Sequence, residues 1–268
     1  MSYGRGLKRP DPHKLARRLH ASFHPLLASS VAPRGSAQLT PCARMDQGQS
    51  GTCHAHSAAA AVWTARNALG SPLAFVPSPL LIASCTYADV QGPASKRGPL
   101  QDTGADLSDD ATALSTWGIA PMGPTVDGRY SDVPNDPPDN SFPEPDLLQL
   151  QVAGSDLISG EYQIPVDASA PTLCALALDA NVPIWLGFEV DDAFQGLGPG
   201  DVALPPVNAP DDGGHAVYLS GYERDGASGF AFRLENSWGS GWADGGAVWV
   251  SQAWLLATWI LWPMAVSP

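Results

Sequence analysis

The spacing of apolar and polar residues predicts three helices in the body of the chain. Residues 54–69, HAHSAAAAVWTARNAL, are dominated by alanine, the residue with the highest helix propensity, and a glycine follows them. Residues 107–117, LSDDATALSTW, have helical apolar spacing, with Ser108 as the expected N-cap. Residues 170–180, APTLCALALDA, are the third predicted helix.

Short apolar runs of strand type follow, separated by turn residues. They are EYQIPV (161–166), VPIWLGFEV (182–190), HAVYLSGY (215–222), GFAFRLENSW (229–238) and GAVWVS (246–251). Helices therefore precede a mainly β region, which predicts an α+β fold with a helical half over about 40–145 and a β half over about 146–268. A site formed between two such halves would lie in a cleft.

Two further regions differ in composition from the rest. Residues 120–146 contain many Pro, Asp and Gly residues and are predicted to form a long loop. Residues 1–39 are predicted to form an N-terminal arm. Within this arm apolar residues recur every four positions, which is typical of a short amphipathic helix. They are Leu15, Leu19, Phe23 and Leu27.

Charge is unevenly distributed along the 268 residues. The net charge of −13 argues against nucleic acid as a partner. Seven of the 14 Lys and Arg residues lie in the first 34 positions, where Asp11 is the one acidic residue. From residue 35 onward 7 basic residues face 26 acidic ones. Two interpretations remain open: a basic arm lying on an acidic body, or a solvated basic tail.

The segment Ala247–Val266 carries no charge over twenty residues. That length would suit a membrane span, but buried strands and a turn of helix in a barrel-like core would have the same composition. The second interpretation is favoured, and a membrane partner is not expected. The N-terminus has charge but no continuous apolar run of the kind found in signal peptides, so a cytoplasmic location is expected, with non-classical export left open.

The stretch DQGQSGTCHAHSAAAA, residues 46–61, carries the strongest chemical signal. Cys53 stands where a glycine-rich turn meets the alanine-rich helix, and a helix N-terminus favours thiolate over thiol. The backbone N–H of Cys53 and the side-chain amide of Gln47 could together stabilise an oxyanion. The alternative is a buried structural cysteine that begins a core helix.

Partners for such a nucleophile occur later in the chain. A catalytic thiolate needs a base, and the base needs a group that orients it. His215 follows two glycines at a strand start, and Asn236 in LENSWGSGW could accept a hydrogen bond from its imidazole. Trp238 could cover that bond and exclude water.

These three segments resemble the motifs of papain-like cysteine proteases. QGQSGTCHAHS is similar to the segment around that family's nucleophile, GGHAV to its histidine segment, and ENSWGSGW to its Asn-Ser-Trp-Gly segment. The resemblance implies Cys53 as nucleophile, His215 as its partner, Asn236 as the orienting residue and Gln47 in the oxyanion hole. It also implies a helical half packed against a barrel-like β half, with the site between them.

The resemblance implies substrate-binding residues as well. Gly104 corresponds loosely to a glycine that binds substrate backbone, and small residues beside the histidine should line the cleft with the shielding tryptophan. These are Gly214, Ala216 and Trp238. The expected partner is a peptide or protein substrate, and no metal or cofactor is implied. The family is usually made with a blocking N-terminal segment, so we expect residues 1–39 to restrain activity in cis.

The chain departs from the family pattern at several positions. His54 and His56 replace the usual Trp and Phe after the nucleophile, and Glu235 replaces a common Lys. Thr52 replaces a Ser, and Ser50 replaces a disulfide cysteine, which indicates a reducing compartment and a bacterial-type branch of the family.

The four cysteines, Cys42, Cys53, Cys85 and Cys174, are too few for a disulfide framework, although a Cys42–Cys85 bond stays open. Three other functions also stay open. Cys42, Cys53, His54 and His56 are metal-ligand types, though without paired zinc spacing. A thioester could be resolved by an amine, as in a transpeptidase. The chain could also be a non-catalytic peptide-binding module.

Overall fold

The structure, a computed structural model, describes six stretches of the chain. They are residues 6–9, 32–122, 141–145, 163–206, 213–226 and 229–266. The helix predicted in the arm and most of the loop predicted at 120–146 lie outside these residues. The first two residues of the strand predicted at 161–166 lie outside them too.

Three helices form one side of the molecule. They are α1 (Cys53–Ala68), α2 (Pro79–Gln91) and α3 (Leu107–Trp117), with a short 3₁₀ turn at Ala94–Lys96. The predictions at 54–69 and 107–117 are therefore confirmed. α1 lies between the other two helices and the sheet, and its many buried alanines allow close approach on several sides.

The second and third helices both differ from the sequence prediction: α2 was not expected, and α3 has a different N-cap. α2 was not predicted, because its sequence is apolar on most faces and shows no amphipathic spacing. Ser78 caps it by accepting a hydrogen bond from the N–H of Leu81. The cap of α3 is Asp106, whose carboxylate accepts from the Ser108 N–H at 2.6 Å, so the prediction of Ser108 as the cap is wrong.

The other side of the molecule is a seven-stranded sheet in the order β5–β8–β7–β6–β4–β9, with β1 also paired to β6. The strands are β1 (Ser36–Gln38), β4 (Ile184–Glu189), β5 (Val202–Ala203), β6 (Gly214–Asp225), β7 (Gly229–Glu235), β8 (Ala247–Ser251) and β9 (Ile260–Pro263). β2 (Leu100–Gln101) and β3 (Ser141–Phe142) form a separate antiparallel pair. The α+β fold class is thus confirmed.

The remaining helices lie among the strands. They are α4 (Ala170–Asp179), α5 (Asp192–Gln195) and α6 (Gln252–Leu255). Within the part of the chain that is described, the end strands β5 and β9 do not pair with each other, so the barrel-like closure is not confirmed. Of the strand predicted at 161–166, the described residues show a single bridge, Ile164 to Leu261.

Two apolar clusters pack on opposite faces of the sheet. Successive side chains of a strand point to opposite faces, so Trp185 of β4 joins the cluster around α1 while Leu186 joins the other. Leu7 of the arm belongs to the first cluster and is 4 % exposed. A residue of the predicted N-terminal arm therefore contributes to the core of the body.

The uncharged stretch Ala247–Val266 forms β8, α6 and β9. Most of its apolar residues are buried, as the second interpretation predicted, and Leu256 is the large apolar residue of the stretch that is exposed. Across the six described stretches, none of the helices has the length and apolar character needed to cross a membrane.

Candidate active site

Cys53 is the first residue of α1 and its side chain is completely buried. Burial raises the pKa of its thiol to about 11, and the charge of Asp102 acts in the same direction. The backbone N–H groups of Ala216, Gly6 and His54 act against that increase in the pKa. The thiol is therefore protonated at neutral pH in this state, unlike the thiolate that the helix terminus alone would favour.

His215 lies on β6 next to Ala216. Because β6 packs against α1, the sheet brings His215 to the N-terminal end of that helix. Its Nε2 lies 2.7 Å from Oδ1 of Asn236, which also accepts the N–H of Ser237 at 2.8 Å. Because the backbone N–H of Ser237 donates to this atom of Asn236, the atom is the amide oxygen, which can only accept. Nε2 of His215 therefore carries the hydrogen of the His215–Asn236 bond. Nδ1 is then the nitrogen able to take up a proton.

Trp238 covers this hydrogen bond. Its ring stacks on the His215 imidazole, with centroids 4.4 Å apart and planes 25° apart. Trp238 is 2 % exposed and is packed in turn by Phe194 and Trp242. The shielding expected from the sequence is thus present, but in this state the tryptophan offers little surface to a ligand.

Gln47 is held by the same loop that carries Asn236. Its Oε1 accepts the hydroxyl of Ser237 at 2.6 Å, and its Nε2 donates to the carbonyl of Ser50 at 2.8 Å. The backbone N–H of Gln47 also donates to the carbonyl of Ser237 at 2.9 Å. These bonds join the turn before Cys53 to the Asn236 loop and bring together four of the residues predicted from the sequence.

The N-terminal arm lies on this site. Leu7 exchanges two backbone hydrogen bonds of 3.1 Å with Gly214, and the carbonyl of Gly6 accepts the N–H of Ala105 at 3.0 Å. Gly104 has a φ of +62°, and a Cβ there would overlap the Gly6 carbonyl oxygen. The predicted binding residues Gly104 and Gly214 are therefore in contact with an extended peptide segment, which belongs to the chain itself.

The Leu7 side chain fills an apolar pocket beside Gly187 and Ile260. A Cβ on Gly187 would overlap the leucine, and its neighbour would be a methyl group of Ile260. The absence of a side chain at Gly187 thus makes room for Leu7. No sequence signal marked this pocket, because Gly187 stands inside a run that otherwise predicts a buried strand.

His54 anchors a buried polar network that sequence reasoning missed. Its Nδ1 lies 2.8 Å from Oδ1 of Asp110, and its Nε2 lies 3.0 Å from the hydroxyl of Tyr87. Thr86 donates to the same carboxylate at 2.6 Å. Burial raises the pKa of Asp110, while the contacts with His54 and Thr86 act against that increase.

The network extends to the turn before the nucleophile. Tyr87 donates its hydroxyl to Oδ1 of Asp102 at 2.7 Å, and Oδ2 of Asp102 accepts the N–H of Gly51 at 2.5 Å. A signal for it was present in the sequence, since a histidine in an alanine-rich helix core needs buried partners and Asp110 interrupts the apolar spacing of α3.

His56 has a different environment from His54. Its Nδ1 lies 3.1 Å from the hydroxyl of Thr52 and 3.0 Å from the Thr52 carbonyl. Burial lowers its pKa to about 4. It therefore stays neutral at physiological pH, one turn beyond the nucleophile.

These contacts give the metal-site alternative no support among the described residues. His54 and His56 are directed to different partners, and the described residues contain no group of three or more His, Cys, Asp or Glu side chains suited to hold a metal ion. All four cysteines are buried and none is in a disulfide, so the Cys42–Cys85 bond that the sequence left open is not formed.

No family model and no curated protein matches the sequence. Solved structures do. Xylellain, a cysteine protease from Xylella fastidiosa, matches at 24 % identity with a TM-score of 0.68, over 99 % of this chain and 96 % of its own. Procathepsin L 3 from Tenebrio molitor matches at 18 % identity with a TM-score of 0.63, over 97 % of this chain and 83 % of its own.

A third match, the ragweed cysteine protease Amb a 11 in its proform, has 19 % identity and a TM-score of 0.63, over 94 % of this chain and 72 % of its own. The second and third are therefore structures of proenzymes. Together these likenesses show that the chain has the fold of the papain-like cysteine proteases.

Proposed function

We propose that the protein is a cysteine peptidase that hydrolyses peptide bonds through Cys53 and His215. One observation carries this proposal: His215, bonded through Nε2 to Asn236 and stacked under Trp238, is the neighbour of Ala216, whose backbone N–H acts on the pKa of the Cys53 thiol. A nucleophile, a base and an orienting group are thus assembled from three distant segments. The fold shared with known cysteine proteases supports the same function.

The reaction uses the groups as follows. His215 Nδ1 takes the thiol proton while the sulfur of Cys53 bonds to the substrate carbonyl carbon. The oxygen becomes an oxyanion, stabilised by the Cys53 N–H and the Gln47 side-chain amide. The C–N bond then breaks, and the imidazolium gives its proton to the leaving amine. Water attacks the thioester with His215 as base, releasing a carboxylic acid and restoring the thiol.

We further propose that the described arm residues inhibit this site. Gly6 packs against the backbone of Gly51, two residues before Cys53, and its carbonyl oxygen accepts the Ala105 N–H. Leu7 occupies the backbone groups of Gly214, so a substrate strand cannot pair with Gly214 at the same time. Proenzyme forms among the matching structures are consistent with such an arrangement.

The test is peptidase activity of the full chain against a mixture of quenched fluorescent peptides, measured before and after a substitution that unseats the arm, Leu7→Asp. Activity should appear or rise with Leu7→Asp and disappear in the double variants that add Cys53→Ala or His215→Ala. A general base contributes roughly 10²–10⁴-fold, so His215→Ala should lose at least about a hundredfold.

Product analysis by mass spectrometry separates hydrolysis from amine transfer. Free carboxylic acid products in the presence of an added amine support the peptidase, whereas an amide product would identify an acyl transferase. If an unseated, folded chain cleaves nothing and still binds peptides, the binding-module interpretation holds.

A further inference from the structure

The guanidinium of Arg9, in the arm, contacts two side chains of the body. Nη2 of Arg9 lies 2.8 Å from Oε2 of Glu189, and the guanidinium carbon lies 5.0 Å from the centre of the Trp259 ring. A carboxylate and an aromatic face are the two groups that bind a guanidinium most favourably in proteins. The Glu189 side chain is 17 % exposed, whereas that of Arg9 is 61 % exposed.

Both receiving residues are positioned by the body of the protein. Glu189 is the last residue of β4, where it pairs with Gly214 of β6. The N–H of Trp259 donates to the carbonyl of Gly187 at 2.7 Å, and its ring packs so closely on Gly214 that a Cβ there would overlap it. Backbone hydrogen bonds within the body therefore fix the main chain of both residues.

The position is continuous with the cleft. Gly6 packs against Gly51, two residues before Cys53, Leu7 fills the pocket at Gly187, and Arg9 reaches Glu189 two residues beyond Leu7. A peptide bound along the same track meets the nucleophile, then an apolar pocket, then the carboxylate. The excess of acidic residues in the body, 26 against 7 basic from residue 35 onward, favours a cationic occupant.

We infer that Glu189 and Trp259 form a cation-binding subsite, and that once the arm leaves they accept an arginine or lysine side chain of the substrate, beyond the apolar pocket and away from Cys53. The substrate role rests on the proposed function. The recognition of a basic side chain does not, because it can be measured as binding without turnover.

The experiment uses the full chain carrying Leu7→Ala, Arg9→Ala and Cys53→Ala, so that the arm is unseated and nothing is cleaved. Two fluorescent peptides of residues 2–11 are compared by polarisation: the natural sequence and one with citrulline, a neutral isostere, in place of Arg9. We expect citrulline to weaken binding about fivefold at low salt, with the difference shrinking at high salt.

Glu189→Gln, added to this background, should remove most of the difference between the two peptides. Glu223→Gln is the matched control, because it removes one exposed carboxylate from the other end of β6, where Glu223 pairs with Ser36 and not with residues 6–9. Equal binding of the two peptides in the background would overturn the inference. An equal loss of preference in the Glu223 variant would overturn it too, since only net charge would then matter.

If neither peptide binds, the contact between Arg9 and Glu189 is tested within the full chain, where the native arm provides the arginine. Alkylation rates of Cys53 in the full chain with Arg9→Gln, Glu189→Gln and both together give the coupling of the pair. If the effects of the two substitutions on the alkylation rate are not additive, they support the subsite; additive effects reject it. A preference for arginine in binding without Cys53-dependent hydrolysis in any variant would leave the subsite standing and reject the peptidase.

Discussion

Leu7 and Gly214 exchange two backbone hydrogen bonds, each 3.1 Å long, one residue before the histidine of the site. Leu7 of the N-terminal arm thereby forms an isolated antiparallel bridge to the first residue of β6, where a substrate backbone would pair in the proposed function. The Leu7 side chain is buried in the core cluster around α1. The arm is consequently held both by backbone pairing and by an apolar anchor.

Leu7→Asp should therefore open the cleft. A carboxylate in the pocket at Gly187 loses its hydration without gaining a partner, so the seated arm is disfavoured. We expect alkylation of Cys53 by iodoacetamide at pH 7 to rise at least about tenfold, because each 1.4 kcal/mol changes the open population by that factor. Val90→Asp, at an exposed position on α2, should leave the rate unchanged. Equal rates in both variants would mean that the arm does not cover Cys53.

The pH dependence of Cys53 alkylation should show that the thiol is buried and protonated in the wild-type chain. With its pKa raised to about 11 by burial, Cys53 in the wild-type chain should alkylate slowly at pH 7, with the rate rising through pH 10. Because the folded pKa exceeds that of the unfolded thiol, the thiol stabilises the folded state below pH 9 and this contribution is lost above it. Fast alkylation of wild-type Cys53 at pH 5, read by peptide mass spectrometry, would contradict this.

Breaking the pair between His54 and Asp110 should destabilise the protein. Both side chains are fully buried, and loss of one partner leaves the other without compensation. Asp110→Leu should lower the free energy of unfolding by about 3–5 kcal/mol in urea titrations at pH 7. Asp109→Asn, one position earlier on α3, is the control and should change it by less than about 1 kcal/mol. Similar decreases in the free energy of unfolding in the two variants would show that the His54–Asp110 pair does not stabilise the fold specifically.

His56 should make stability depend on pH in the acidic range. Its pKa of about 4 in the folded state lies below the usual value of 6.5, so the unfolded chain binds more protons between those values. Stability should therefore fall as the pH decreases from 6.5 through 4, by about 3 kcal/mol for this residue at 1.36 kcal/mol per pKa unit. His56→Phe should flatten that part of the profile, measured as urea midpoints from pH 4 to 7. An unchanged slope would exclude His56 as its source.

The sequence predicted what depends on local pattern and on motifs. α1 and the strands around His215 and Asn236 follow from alanine content, alternation and glycine placement, and the likeness of three segments to known motifs brought Cys53, His215 and Asn236 into one site. The cap of α3 was misassigned because Asp106 and Ser108 are both good caps, and the choice between them depends on the backbone conformation at the turn.

The remainder depends on contacts between distant segments. Nothing local to Tyr87 or Asp102 indicates that they connect His54 to Gly51, since α2 and the β2 region meet only in the folded chain. The raised pKa of Cys53 could not be foreseen for the same reason, because it depends on burial beneath Gly6. The sequence showed a favourable helix terminus and could not show what covers it.

The hydrogen bond from Ser237 to Gln47 joins residues 190 positions apart. Contacts of such separation are slow to form in folding, because a long loop must close before they are made. A chain in which α1 has folded and the Asn236 loop has not would carry Cys53 without a positioned oxyanion donor or an oriented imidazole. The peptidase activity proposed for Cys53 would therefore appear late in folding, once the turn at Gln47 and the Asn236 loop are in contact.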